Sequence, residues 1–324
     1  MTTVAGLVSV LLVAAGLFYT NDANRKQQQL GLSQQKLALQ GQIADRFTAA
    51  IGQLGQEDNK KRDKLSIRLG GIYALQRLMF DSPVDERAVV HVLCAFVNTH
   101  APRPATPPKV VPPSPADVRA AVTVLGYRPN PLEQPLDLSN VILGLPGVDL
   151  YGADLTGADL GNSSLRGADL REAGLNGVDL HGTDLDYANL TGANLTGAYL
   201  TDASFSGAYL NHADLFGANL TGADLHGSYL TGANLRRAQL SDADLTPTDL
   251  QGAYLQGADL SGADLRGADL SGANLTGADL AGADLQGADV SSSVGLTAQQ
   301  LTRAQLNGLT RFPPDVVWPS PAPS

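Results

Sequence analysis

From residue 145 to residue 290 an apolar side chain recurs at every fifth position, thirty times in succession; all are leucine except Phe205 and Val290. Two residues before each from Leu150 onward stands a small side chain, from Ala153 and Ala158 through to Ala288, with Val148, Val178, Thr183 and Thr248 the larger members. The unit reads Ala-(Asp/Asn)-Leu-x-Gly. On an α-helix five residues advance by about 500°, a net 140°, so the leucines would spiral round the rod without forming a stripe. On a continuous strand an odd period would send successive leucines to opposite faces. The chain must therefore turn once per repeat, with the leucine and the preceding small residue pointing inward and the other three facing water.

This column resembles the pentapeptide-repeat family, over residues 145–290. The resemblance implies four quintets per coil and a right-handed quadrilateral parallel β-helix, an all-β solenoid whose coils pair at about 4.8 Å. The second residue after the leucine is usually glycine, but Glu172, Tyr187, Arg237 and Pro247 also occur there. Proline fixes φ near −65°. The expectation is that this corner has no strict left-handed requirement and that glycine serves close coil packing.

Charge is unevenly spread. Residues 1–144 hold fifteen Lys/Arg against eleven Asp/Glu, whereas 145–290 hold five against twenty, a net −15 in a chain of net −10. Such a rod lacks the clustered Lys/Arg that nucleic-acid binding requires, so no direct nucleic-acid contact is expected and an electrostatic partner should be basic. The single cysteine, Cys94, cannot form an internal disulfide.

Val4 to Tyr19 carries no charge, and with Thr2, Thr3 and Thr20 at its ends the run spans roughly 28 Å as a helix, so residues 1–21 read as a transmembrane anchor. No Lys or Arg precedes Val4, which favours an uncleaved anchor over a signal peptide. Arg25, Lys26 and Lys36 follow it, predicting a single-pass membrane protein whose C-terminal domain is cytoplasmic.

Residues 22–100 read as an α-helical module. One amphipathic helix covers 30–54, with Leu32, Leu39, Ile43, Phe47, Ala50 and Leu54 on its apolar face. It leaves open a two-heptad coiled coil, and so a homo-oligomer, with a second copy. Further helices follow from Leu65 to Met79 and from Ser82-Pro83 through Val97, where serine caps and proline suits the first turn. Gly41 to Phe47, Arg68 to Leu75 and Ala95 to Val97 resemble a helical module found upstream of pentapeptide repeats in actinobacterial membrane-associated proteins. Residues 101–115 form a proline-rich linker separating module from rod, and 116–135 a short helix ending at Gly126 plus a connector.

The solenoid is expected over 136–292. Leu138 and Leu143 stand two residues out of phase with the column, which predicts an insertion or a bulge. In 293–324, Thr297 and Gln300 form a capping-box pattern opening a helix that should close the last coil before a proline-rich tail.

No motif carries catalysis, and no cofactor or metal is expected. A filled axis leaves no room for substrate. The recurring aspartates belong to the repeat and lack the calcium β-roll signature. His181, His212 and His226 fall on different coils without metal spacing, and His91 with Cys94, one helical turn apart, has no third orienting group. Two outer features depart from the motif. Tyr199, Tyr209, Tyr229 and Tyr254 replace the usual Asp/Asn, and Phe216 follows Leu215; at four quintets per coil Tyr209 and Tyr229 stack. Asp244, Asp264 and Asp284 should align at 20-residue spacing. These eight residues are the candidate contact surface. The resulting reading is a membrane-tethered interaction scaffold presenting an acidic rod. The alternative, implied by the family resemblance, is a DNA mimic acting on a DNA-binding enzyme such as a type II topoisomerase.

Overall fold

The computed structural model describes residues 2–55, 63–104, 114–129, 136–144 and 148–314, with side chains from residue 24 onward except that of residue 63. It joins a helical module to a four-sided solenoid. Bridges run in parallel at 20-residue steps, Asp149 to Asp169, Asp154 to Gly174, Asp159 to Asp179 and Ser164 to Asp184, and so on up the rod. Twenty residues per bridge means four quintets per coil. Each side is so short that a single residue bridges between corners, and among the described residues no longer strand forms.

The backbone hydrogen bonds of one quintet show why five residues suffice. Asp224 N–H donates to the Ala203 carbonyl below at 2.9 Å, and Leu225 N–H to the Asp244 carbonyl above at 2.7 Å. Gly227 N–H reaches the Thr246 carbonyl at 3.0 Å, and Ser228 N–H closes the corner on the Leu225 carbonyl at 3.0 Å. The remaining donor, His226 N–H, is taken by the Asp224 carboxylate at 2.9 Å. Every N–H of the unit is thus satisfied, as a buried ladder requires. Inside, the leucines, Phe205 and the alanines fill the axis with side chains essentially inaccessible to solvent. Leu145, first of the column, lies outside the described residues.

The corner expectation is overturned. Gly152, Gly157, Gly167 and their successors have φ between about +60° and +74°, and Asn162, Glu172, Tyr187, Asp202, His212, Arg237 and Asp242 are left-handed too, at φ 54° to 59°. The left-handed corner is the rule, and Pro247 is the departure from it that the sequence made conspicuous. A second pattern permits the non-glycine corners. In the regular coils each is followed twenty residues later by glycine: a Cβ on Gly182 would stand 2.7 Å from Asn162 Oδ1, and one on Gly207 would stand 2.9 Å from the Tyr187 ring.

The phase slip at the entrance is an insertion. Asp137 pairs with Asp159 and Ile142 with Ser164, steps of 22, while Leu136, Leu138, Val141 and Leu143 are fully buried in the axis. At the exit the steps lengthen again, Asp284 to Gln305 and Asp289 to Arg311. Thr297 and Gln300 form the expected capping box, but the helix is only four residues, Ala298–Leu301 (α5). The Gln300 amide donates to the Leu275 and Ala278 carbonyls at 2.9 Å each, covering acceptors of the preceding coil.

The module comprises α1 (Thr2–Leu54), α2 (Asp63–Asp81), α3 (Glu86–His100) and α4 (Ala116–Gly126). α2 packs against α1, α3 and α4. α3 begins later than Ser82-Pro83 suggests, because the Ser82 hydroxyl bonds the Asp85 carboxylate at 2.6 Å instead of capping the helix. α4 starts without a side-chain cap, and the Ser114 hydroxyl just before it donates to the Ile142 carbonyl at 3.0 Å. The described ends of the proline-rich segment are held on the rod: Ile142 N–H donates to Ala101 and Arg103 N–H to Asn140. Arg103 also reaches the Asn162 carbonyl at 2.7 Å. α4 ends against the first coil, where Gly126 accepts from Asp154 N–H at 2.8 Å and a Cβ would strike Ala153. Module and solenoid are therefore in contact at these points. Residues 105–113 and the tail from 315 lie outside the described residues.

The membrane placement does not stand. Among the described residues no helix is long and apolar enough to cross a membrane. The side chains of residues 1–23, on which the anchor expectation rests, lie outside that description. α1 runs on without a break from there to Leu54, and its described part carries Arg25, Lys26, Lys36 and a glutamine-rich surface, none of which suits hydrocarbon. The single-pass topology with a cytoplasmic C-terminal domain is withdrawn on that finding.

Candidate protein-contact surface

All sixteen aspartates and five asparagines that precede a column residue between 149 and 289 use Oδ1 to accept the N–H two residues on, as Asp154 does from Thr156 at 3.0 Å and Asn274 from Thr276 at 3.1 Å. This Asx turn requires a carbonyl-type oxygen on Cγ, which either residue supplies. The fold therefore asks for the oxygen and is indifferent to the charge.

Grouped by quintet, the charge is not shared equally among the four sides. The first side, through Asp149, Asp169, Tyr209, Tyr229 and Asp289, the third, through Asp159, Asp179 and Tyr199, and the fourth, through Asp184, Asp224, Asp244, Asp264 and Asp284, are all net acidic. The second side, through Asp154, Asn194, Asp214, Asn234, Tyr254 and Asn274, balances Asp154 and Asp214 against Arg236 and Arg237. The whole net −15 is displayed on three sides.

Asp244, Asp264 and Asp284 are consecutive bridge partners on the fourth side. Within that row Arg266 lies 2.5 Å from Asp264 and 3.9 Å from Asp284, and its hydrogen bond holds the Asp264 carboxyl below the usual range. Arg171 does the same for Asp169 on the first side.

Tyr209 and Tyr229 are bridge partners with ring centres 5.0 Å apart and planes 8° from parallel. The other aromatic candidates are elsewhere. Tyr199 stands exposed on the third side, opposite that pair, while Tyr254 belongs to the second side and Phe216 to its far corner; both are exposed. The five do not form one patch. Reading the sequence singly missed what surrounds them: the Arg236 guanidinium lies 4.5 Å over the Tyr254 ring, and Arg237 lies 5.9 Å from the Phe216 ring centre. Writing the chain in rows of twenty would have placed these four side by side.

The remaining polar groups have local partners. His181 bonds Asp179 and Asn162, each at 2.7 Å, and His226 bonds Thr246 at 3.1 Å. Burial pushes the Cys94 thiol up to about 12, the reverse of what a nucleophile beside His91 needs. Among the described residues no His, Cys, Asp or Glu cluster is arranged to hold a metal.

The family model described as pentapeptide repeats (8 copies) matches residues 149–186, 183–222, 218–257 and 253–291. The chain belongs to the pentapeptide-repeat family. Its four-sided coil is that family's right-handed quadrilateral β-helix. Similar solved structures include HetL, a pentapeptide repeat protein involved in heterocyst differentiation regulation from the cyanobacterium Nostoc sp. strain PCC 7120. It is 31% identical over 57% of this chain and 90% of its own, with a TM-score of 0.27. Rfr23 from the cyanobacterium Cyanothece 51142 is 29% identical over 34% of this chain, with a TM-score of 0.25, and this chain spans 63% of its length. QnrB1, a plasmid-mediated fluoroquinolone resistance protein, is 26% identical over 47% of this chain and 84% of its own, with a TM-score of 0.23. Among curated proteins none matches.

Proposed function

We propose that this pentapeptide-repeat chain is a non-catalytic interaction scaffold whose acidic rod engages a basic surface of a partner protein. The observation that carries the reading is the separation of charge from fold. Asparagine would serve every Asx turn, yet aspartate outnumbers it sixteen to five, and the surplus charge lies on three sides of a rod whose axis is filled. Charge that the fold does not require is available for a partner, and an extended acidic surface steers basic groups toward itself.

The DNA-mimic alternative has a comparable amount of charge in its favour, since about seven coils at about 4.8 Å give roughly 34 Å, and duplex DNA of that length carries about 20 phosphates. Its distribution differs: duplex DNA is charged all round, whereas the second side of this rod is neutral. That favours the scaffold.

The test replaces Asp244, Asp264 and Asp284 by asparagine in the full chain. Because asparagine keeps each turn bond, melting should be little changed, while affinity for a basic partner recovered with the wild-type protein should fall, as it should with added salt. Unchanged, salt-independent binding would remove the acidic rod from the interaction. Inhibition of DNA gyrase by the purified protein would reinstate the mimic.

A further inference from the structure

The five arginines of the solenoid fall into two groups. Arg166 lies against Asp184 and Asp186, Arg171 against Asp169, and Arg266 against Asp264 and Asp284. Arg236 and Arg237 have no carboxylate partner among the described residues. They are consecutive, and they sit on the one side of the rod that carries no net charge. Each is placed by an aromatic ring: Arg236 over Tyr254, with Nε donating to Gln256 Oε1 at 3.2 Å, and Arg237 beside Phe216. The nearest carboxylate in that row, Asp214, is already engaged by the Asn234 amide at 2.8 Å and Phe216 N–H at 3.0 Å. Arg237, Phe216 and Tyr254 are exposed.

We propose that Arg236 and Arg237, set between Phe216 and Tyr254, form a docking patch for an Asp- or Glu-bearing segment of a partner protein. The argument is one of complementarity and of cost. A guanidinium fork pairs best with a carboxylate, in a bidentate geometry that a lysine cannot offer. Ring contacts hold both guanidiniums before binding, so little side-chain freedom is left to lose. Tyr and Arg dominate interface hot spots for these reasons. A partner lying on the second side also avoids stripping water from the aspartate rows, which contact with any other side would require. The acidic first and third sides flank this one, so the segment must be short enough to stay within the second side; exposed carboxylates more than about 8 Å away through solvent are largely screened. Nucleic acid is the poorer fit, since a duplex would run past the patch onto acidic surface.

The patch is separate from the acidic sides proposed above, and the experiment keeps the two apart. Binding of a labelled Glu-rich peptide, a Lys-rich peptide and a duplex oligonucleotide is measured for the full chain, for Arg236→Gln/Arg237→Gln and for Arg266→Gln. The Glu-rich peptide should bind the wild type and Arg266→Gln alike and should bind the double variant at least about tenfold more weakly, the loss expected when charge-assisted pairs are removed. The Lys-rich peptide should bind all three proteins. No binding of the Glu-rich peptide by the wild type, an equal loss in Arg266→Gln, preference for the oligonucleotide, or self-association abolished by the double change would overturn the proposal. A parallel loss of both peptides in the double variant would overturn it too.

Discussion

At the scale of single residues, the rod is built from a division of labour within five positions. Alanine and leucine fill the axis, aspartate or asparagine receives the one N–H the ladder leaves over, and the last residue takes a left-handed φ. The eight non-glycine residues that accept positive φ, Asn140 among them, show that the requirement is energetic and not absolute, at about 1 to 2 kcal/mol each. Stacking adds a second requirement only where the coil below carries a side chain at the corner. Gly197→Ala should therefore cost about 1 kcal/mol, since its φ is +64° and its Cβ would meet nothing within 4 Å. Gly207→Ala has the same φ but must also displace the Tyr187 ring, and should cost about 1 kcal/mol or more beyond that. Chemical denaturation of the two variants measures the difference; equal losses would mean that the corner column tolerates any side chain beneath it.

Among elements, α1 and α2 approach closely at Gly71. A Cβ on Gly71 would stand 2.8 Å from the Ala50 carbonyl and 3.0 Å from Gln53 Cβ, whereas one on Gly70 would meet only the end of the Gln53 side chain at 3.5 Å. Gly71→Ala should push the helices apart and destabilise the module by about 1 to 3 kcal/mol, while Gly70→Ala should gain up to about 1 kcal/mol from helix propensity. The order of the two melting temperatures checks this. The α2–α4 contact contains the ion pair of Arg68 with Asp117 at 2.6 Å, both side chains largely buried. α4 in turn abuts the first coil, so the module is positioned as an end cap for a stack that would otherwise expose its first rung.

For the molecule as a whole, acid should act through the aspartate rows. Arg171 and Arg266 hold Asp169 and Asp264 below the usual carboxylate range. Asp289 is lowered by the Ser291 hydroxyl and N–H; at Asp269 burial raises the pKa but bonds from Ser271 and Gln251 outweigh it. A carboxyl whose pKa is depressed by folding adds stability above its unfolded value, near 3.9, and loses it as pH falls through the lower folded value. Melting temperature should accordingly be flat with respect to these groups from neutral pH to about 5 and fall below about 4. A rise in melting temperature on acidification below pH 4 would show that relief of repulsion among the rows outweighs their turn bonds and ion pairs.

The sequence by itself determined the turn per quintet, the inward leucines and alanines, the phase slip before the regular coils and the capping box at Thr297, because each is written in spacing that local geometry can satisfy in only one way. It misread the corner, because Pro247 drew attention away from a φ that eight other residues share. It also assigned residues 1–21 to a membrane on composition alone, against the finding for the described helices. What only the tertiary structure decided is the set of neighbours twenty residues apart. Tyr209 on Tyr229, Arg236 on Tyr254, glycine over each bulky corner and a neutral second side all arise from closing the coil, and a linear reading cannot sum charge by side until the number of quintets per turn is fixed.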